Sequence, residues 1–153
     1  LVPVRAATRA IDTAAPPLAF TVEARLRAAA PLAARPADRR FRVALSGDMQ
    51  PYRWALDADA PLRVRAGERV EIEMSNRSMM SHPMHLHGHH FQVVAIDGAP
   101  VSGAMRDTVL IPPGRSLRIA FDANNPGKWM FHCHHLYHMF TGMMAQIDYE
   151  GIA

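Results

Sequence analysis

All nine histidines of this 153-residue chain fall in two short windows. His82, His85, His87, His89 and His90 occupy the first. His132, His134, His135 and His138 occupy the second, which also holds the single cysteine, Cys133. A packed core histidine is usually solitary, and an affinity tag would be contiguous and terminal. Imidazole and thiolate gathered in this way point to a bound metal, because these donors suit the first-row transition ions.

Strand geometry sorts the donors. Side chains on a strand alternate between faces with a period of two. His132 and His134 therefore point one way and Cys133 the other. His85 and His87 share a face. His82 lies an odd number of residues from both, and Pro83 holds it extended or in a turn. The windows thus predict two metal environments. One is all imidazole, from His85, His87, His132 and His134. The other centres on Cys133, recruits His82, and is completed from the following loop by His138 at +5 and Met143 at +10. Two imidazoles, a thiolate and a weak thioether form the donor set of a blue-copper site. Zinc is the rival ion, but a structural zinc site normally carries more cysteines and no thioether. Gly142 lets the loop turn back toward the metal.

At their full length these motifs resemble the C-terminal cupredoxin domain of multicopper oxidases. The matching stretches are His82-Pro83-Met84-His85-Leu86-His87-Gly88-His89, then His132-Cys133-His134, His138 and Met143. Arg106-Asp107-Thr108 and Asn125-Pro126-Gly127-Lys128-Trp129 are similar to stretches of bacterial copper-resistance and laccase-like oxidases. The resemblance implies copper as cofactor. His82, Cys133, His138 and Met143 would hold a complete type 1 copper. His85 would bind the type 2 copper, and His87, His132 and His134 the paired type 3 coppers. Cys133 would pass electrons to its neighbours His132 and His134, making these three the catalytic residues. The family's trinuclear centre also takes His-x-His pairs from an N-terminal domain, and none stands elsewhere in this chain. Types 2 and 3 are therefore half-sites. The resemblance implies a partner cupredoxin domain, O2, a small reductant such as a phenol or Cu(I), and a periplasmic or secreted location. The alternative function is a freestanding type 1 electron-transfer or copper-binding module without oxidase activity.

The elements that must position these donors read as all-β. Alternating segments at Phe41–Leu45, Leu62–Val64, Val70–Met74, Phe91–Ile96, Thr108–Ile111, Leu117–Phe121, Trp129–Cys133 and Met144–Tyr149 are separated by turn residues such as Asp97-Gly98 and Pro112-Pro113-Gly114. Short strands punctuated in this way predict a sandwich or barrel, and the resemblance makes it a Greek-key cupredoxin barrel. His134–Phe140 lacks alternation and reads as one short helix in the copper-ligand loop. Residues 1–37, rich in Ala, Pro and Arg, read as a linker or the tail of a preceding domain, with one possible strand over Leu18–Leu26. The resemblance implies that residues 38–153 are the C-terminal plastocyanin-like domain. Asp57 and Asp59 read as a turn. Asp107 is a candidate acid behind the ligands, or a partner of Arg106 or Arg115. Met79, Met80, Met84 and Met139 flank the motifs as core filler or as soft donors for Cu(I). His89 reads as packed, or as orienting a ligand.

Composition excludes other classes. Residues 1–42 carry eight arginines against Asp12, Glu23 and Asp38, whereas residues 43–153 carry nine basic and eleven acidic residues. The basic surplus thus lies away from the chemistry, which argues against nucleic acid. One cysteine excludes an internal disulfide. Trp129–Ile147 contains no Asp, Glu, Lys or Arg, but its four histidines and Cys133 make it a poor membrane span.

Overall fold

A computed structural model describes residues 20–152. Twelve strands and one short helix follow in chain order: β1 Arg39–Asp48, β2 Arg53–Ala58, β3 Arg63–Val64, β4 Arg69–Asn76, β5 His82–Leu86, β6 Phe91–Ile96, β7 Ala99–Pro100, β8 Met105–Arg106, β9 Thr108–Ile111, β10 Ser116–Asp122, β11 Lys128–Cys133, α1 Leu136–Phe140 and β12 Met144–Tyr149. They form two sheets. One has the order β2-β1-β4-β10-β6-β7, with β8 also on β6; the other has the order β3-β12-β11-β5-β9. Pairing is antiparallel except for β1 with β4 and β3 with β12. The expected all-β cupredoxin sandwich, with a short helix in the ligand loop, is the architecture found.

Period-two patterning explains the layers. Phe41, Val43 and Leu45 of β1 are buried, as are Val70, Ile72 and Met74 of β4 and Leu117, Ile119 and Phe121 of β10. From the second sheet, Met84, Leu86, Phe131, Cys133, Ile147 and Tyr149 join the same core. The intervening residues of the first sheet carry charge, and Arg40, Arg118, Glu71 and Glu73 pair across its outer face. Such alternation fits a sheet with one face in the core and one in water. The Asp97-Gly98 signal becomes a tight β6–β7 turn with φ of 47° and 79° at its two residues. Positive φ at both positions is the requirement of a type I′ hairpin.

Two expectations are corrected. The strand proposed over Leu18–Leu26 is a 3₁₀ turn at Glu23–Arg25, closed by Val22 O accepting from Arg25 N–H and Leu26 N–H. Phe20 is the one large side chain this segment buries. It lies under the Arg115 guanidinium at 4.8 Å, and Glu23 pairs with Arg106 at 2.9 Å. With one apolar anchor and no strand edge beside it, the segment has nothing to hold it extended. Residues 1–19, including the Ala-Pro linker stretch and Leu18, lie outside the described residues. The second correction is Asp57, which is not in a turn but in β2, where its carboxylate accepts from Ser46 Oγ at 2.8 Å. The chain bends only at Asp59, whose side chain accepts from Arg42 N–H at 2.9 Å. No helix among the described residues is long and apolar enough to cross a membrane.

Candidate metal centre

β5 and β11 run antiparallel, with His85 opposite His132 and Met84 opposite Cys133. Directly paired residues project to the same side of a sheet. This register sends His82, Met84, Leu86, Phe131 and Cys133 into the core and sends His85 and His132 outward. β12 adds Met144 opposite His132, so Met144 also faces out.

The inward set converges. His82 Nδ1 and His138 Nδ1 stand 3.1 Å apart, and each is 3.7 Å from Cys133 Sγ. Among the described residues this is the trio of His, Cys or acidic side chains whose donors all lie within 4.8 Å of one another. The separations suit one ion at roughly 2.0 Å from nitrogen and 2.3 Å from sulfur. Met143 is fully buried. Its N–H donates to His138 O at 2.9 Å and its O accepts from Cys133 N–H at 3.1 Å, so the main chain ties the thioether-bearing residue to two of the donors. Gly142 makes this return possible: its φ is 129°, and a Cβ there would collide with the Trp54 carbonyl. Met144, by contrast, is 46% exposed.

Electrostatics favour a metal over free charge at this point. Burial pushes the Cys133 thiol up to about 11. Burial, with His138 nearby, pushes His82 down to about 4. At neutral pH the metal-free trio is therefore a thiol and neutral imidazoles, and a cation that binds here must displace the thiol proton.

The His82 ring is oriented from behind. Its Nε2 bonds Ser78 Oγ at 2.6 Å, and Ser78 is held by Asn76 Oδ1, which accepts from both its N–H and its hydroxyl at 2.9 Å. Asn76 Nδ2 in turn donates to Met80 O and Ile111 O. A proton on Nε2 leaves the Nδ1 lone pair facing Cys133 and His138, the usual way in which an outer hydrogen bond selects the tautomer of a ligand. On the other side Trp54, from β2, stacks on His138 at 4.0 Å and 27° and meets His82 edge-on at 5.2 Å. Trp54 Nε1 is the one fully buried side-chain nitrogen or oxygen without a hydrogen-bond partner among the described residues. An orphaned buried donor costs about 1–3 kcal/mol.

The outward set is looser. The His85 ring lies 4.8 Å from that of His87, 5.5 Å from His132 and 5.6 Å from His134, centroid to centroid. His87 Nε2 and His132 Nε2 approach to 2.9 Å. His85 Nδ1 sits 2.9 Å from Asp107 O and 2.8 Å from Thr108 Oγ1, which leaves Nε2 toward the cluster. His132 Nδ1 bonds Cys133 O at 3.0 Å, again leaving Nε2. Asp107 thus acts through its main chain. The arginines suggested for its carboxylate take other acids, Arg106 with Glu23 and Arg115 with Asp97.

The remaining histidines separate cleanly. His89 is buried, with Nε2 bonded to Tyr149 Oη at 2.7 Å and Nδ1 to His87 O at 3.2 Å, so it braces the chain that carries His87. His90 and His135 are exposed, and His135 stacks on His138. Sequence reasoning did not find Trp54, Ser78, Asn76 or Tyr149. Trp54 and Leu56 alternate with Arg53 and Ala55, a strand signal that places Trp54 inward. Nothing in the sequence marks Ser78 or Asn76 as neighbours of His82 beyond their proximity in the chain.

A two-sheet β fold carrying a buried trio of His82, Cys133 and His138 beneath a face of four imidazoles is of cupredoxin type. Residues 33–151 match the family model described as multicopper oxidase, and the chain belongs to that family. It is 43% identical over 112 residues to multicopper oxidase MmcO of Mycobacterium tuberculosis, covering 70% of this chain and 22% of that protein. It is 40% identical over 123 residues to copper resistance protein A of Pseudomonas syringae pv. tomato, covering 76% and 20%. The multi-copper oxidase of Pediococcus acidilactici superposes with a TM-score of 0.68 at 29% identity, over 79% of this chain and 28% of that one. The blue copper oxidase of Nitrosomonas europaea gives 0.64 at 25%, over 72% and 43%. The chain thus spans about a fifth of the length of the curated relatives it matches.

Proposed function

We propose that residues 38–153 are the C-terminal plastocyanin-like domain of a multicopper oxidase of laccase-like or cuprous-oxidase type, with residues 1–37 as a linker or the tail of a preceding domain. The observation that carries this reading is the position of Cys133. Its sulfur belongs to the buried inner trio, while its chain neighbours His132 and His134 belong to the outer cluster. Copper, when bound, supplies one-electron chemistry at the inner set and O2 chemistry at the outer set. The protein's part is orientation. His82, Cys133 and His138, together with Met143, would hold the type 1 ion. His85 provides one donor to type 2, and His87, His132 and His134 provide donors to type 3. One peptide unit on either side of Cys133 joins the two sets, so an electron delivered to the inner set needs no diffusing carrier to reach the outer one.

The outer face offers four imidazoles, too few for three ions. An N-terminal cupredoxin domain carrying further His-x-His pairs completes it, and the reaction is oxidation of a small reductant coupled to reduction of O2 to water. The reductant is a phenol or Cu(I). A groove of about 160 Å³ is lined by Met49, Met79 and Met80 together with Ser78 and Trp54, the two residues that contact His82. Met79 is 88% exposed and Met49 is 55% exposed, which core filling does not explain, and thioethers favour Cu(I). The family likeness supports a location in the periplasm or outside the cell. A second reading, an electron-transfer module without oxidase activity, is favoured only by the completeness of the inner set within this one chain.

Cys133→Ser in the copper-loaded protein tests the assignment. The thiolate is the source of the intense visible band and of the tight soft-donor bond. The variant should lose that band while keeping its β-sheet circular dichroism, and, once a partner cupredoxin domain completes the outer face, it should fail to consume O2 where the unsubstituted protein does. An unchanged band would exclude Cys133 as the ligand.

A further inference from the structure

We infer that Trp54 is the positioning residue for His138: its buried indole, rather than a hydrogen bond, sets the plane of that imidazole. The inference rests on the reading of His82, Cys133 and His138 as a copper site.

The donors are not equally anchored. Cys133 ends a six-residue strand paired on both sides, and His82 opens β5 with its Nε2 held by Ser78. His138 is the one buried residue of a five-residue helix in which Leu136, Tyr137 and Phe140 are exposed. A metal-binding histidine normally has its second ring nitrogen fixed by an outer hydrogen bond. Among the described residues, His138 Nε2 has no such partner, and the contacts of its ring nitrogens are those of Nδ1 with His82 and Cys133. Something else must choose its ring plane.

Two rings stack on it. His135 does so at 4.9 Å and 15°, but it is exposed and sits on the same loop. Trp54 does so at 4.0 Å and comes from β2 of the opposite sheet. Trp54 is itself held on several sides. Tyr52 meets it edge-on at 5.9 Å. Gly47 lies so close to the indole that a Cβ would overlap it, and Gly142 lies equally close to the Trp54 carbonyl. The two glycines sit in different segments, and both leave room for this one residue. The unpartnered Nε1 shows that no hydrogen bond selects an indole here. A broad flat ring against His138 is what the site uses, and π-faces prefer such offset contact at this range.

The test compares the full copper-loaded protein with Trp54→Leu, Trp54→Phe and, as a control, Phe41→Leu. Phe41 is a buried residue of β1 outside the donor set. Four readouts are taken: the type 1 copper hyperfine splitting by electron paramagnetic resonance, the type 1 reduction potential, copper affinity by chelator competition, and the His138 ring-proton shifts in the copper-free protein. Trp54→Leu should move the ring protons downfield as the stacked indole is lost, change the hyperfine splitting and the potential, and weaken copper binding about tenfold, as loss of an outer-shell partner does. Trp54→Phe keeps an aromatic face, so its values should lie between wild type and Trp54→Leu. Phe41→Leu should lower the melting temperature and leave all four readouts alone. Wild-type values in Trp54→Leu, or equal changes in Phe41→Leu, would overturn the inference. If Trp54→Leu does not fold, Trp54→Phe decides, and wild-type values there in all four readouts overturn it. A wild-type protein lacking the thiolate band would instead overturn the copper reading itself.

Discussion

At the residue scale, the sulfurs after the helix carry the sharpest distinction. Met143 and Met144 are adjacent and chemically identical, yet one is fully buried and the other is 46% exposed on the opposite face. The difference comes from Gly142, whose φ of 129° turns Met143 inward before β12 begins. An axial thioether is a weak, long ligand that tunes the potential more than it holds the ion. Met143→Leu should therefore keep the blue colour and raise the reduction potential. Met144→Leu should change neither. Spectroelectrochemical titration of the two variants side by side checks this. Loss of copper from Met143→Leu, or equal shifts in both, would mean that the wrong sulfur has been assigned.

Strands hold these residues in place, and ion pairs close the ends of the strands. Asp122 at the end of β10 accepts from Arg69 Nε of β4 at 2.8 Å and from Arg35 at 2.9 Å. The Arg69 hydrogen bond, assisted by Arg35, holds its carboxyl below the usual carboxylate range against the opposing effect of burial. Because the folded value lies below the unfolded one, the pair stabilises the protein at every pH above about 4 and the gain disappears as pH falls through the lowered value. Asp122→Asn should therefore lower the melting temperature at pH 7, and the gap from wild type should close below about pH 4. Thermal melts across pH 3–7, run on both proteins, measure that gap; a constant gap would show that ionisation is not its origin. Strands with clear alternation were legible from sequence, because burial on one face writes a period of two. The division of the donors into a buried set and an outward set was legible for the same reason. β2 was obscured because Asp57 and Asp59 resemble turn residues, although Trp54 and Leu56 alternate just before them. The parallel pairing of β1 with β4 and the stack of Trp54 on His138 join segments far apart in the chain. Nothing local encodes such contacts.

The whole molecule is asymmetric in its completeness. The inner set has its two imidazoles and its thiol within one chain, screened from water, with His82 held by Ser78 and Met143 tied to the set through its main chain. The outer set lies on a sheet face where His134 is exposed and His85 and His87 are half-buried. Beside it stand Met130, Leu110 and Met144, each at least 36% exposed. Apolar side chains around under-coordinated imidazoles suit a face covered by another domain. Copper bound to the outer set of this chain alone should therefore exchange readily, whereas the inner ion should resist a mild chelator. The 153-residue chain, dialysed against such a chelator, should retain one copper and show the thiolate band without consuming O2. Adding a cupredoxin domain with two His-x-His pairs should raise the tightly held copper and start O2 uptake with a phenol or Cu(I) as reductant. Elemental analysis and an oxygen electrode give both quantities on the same sample. Full copper loading and steady O2 uptake by the lone chain would show that its outer face needs no partner.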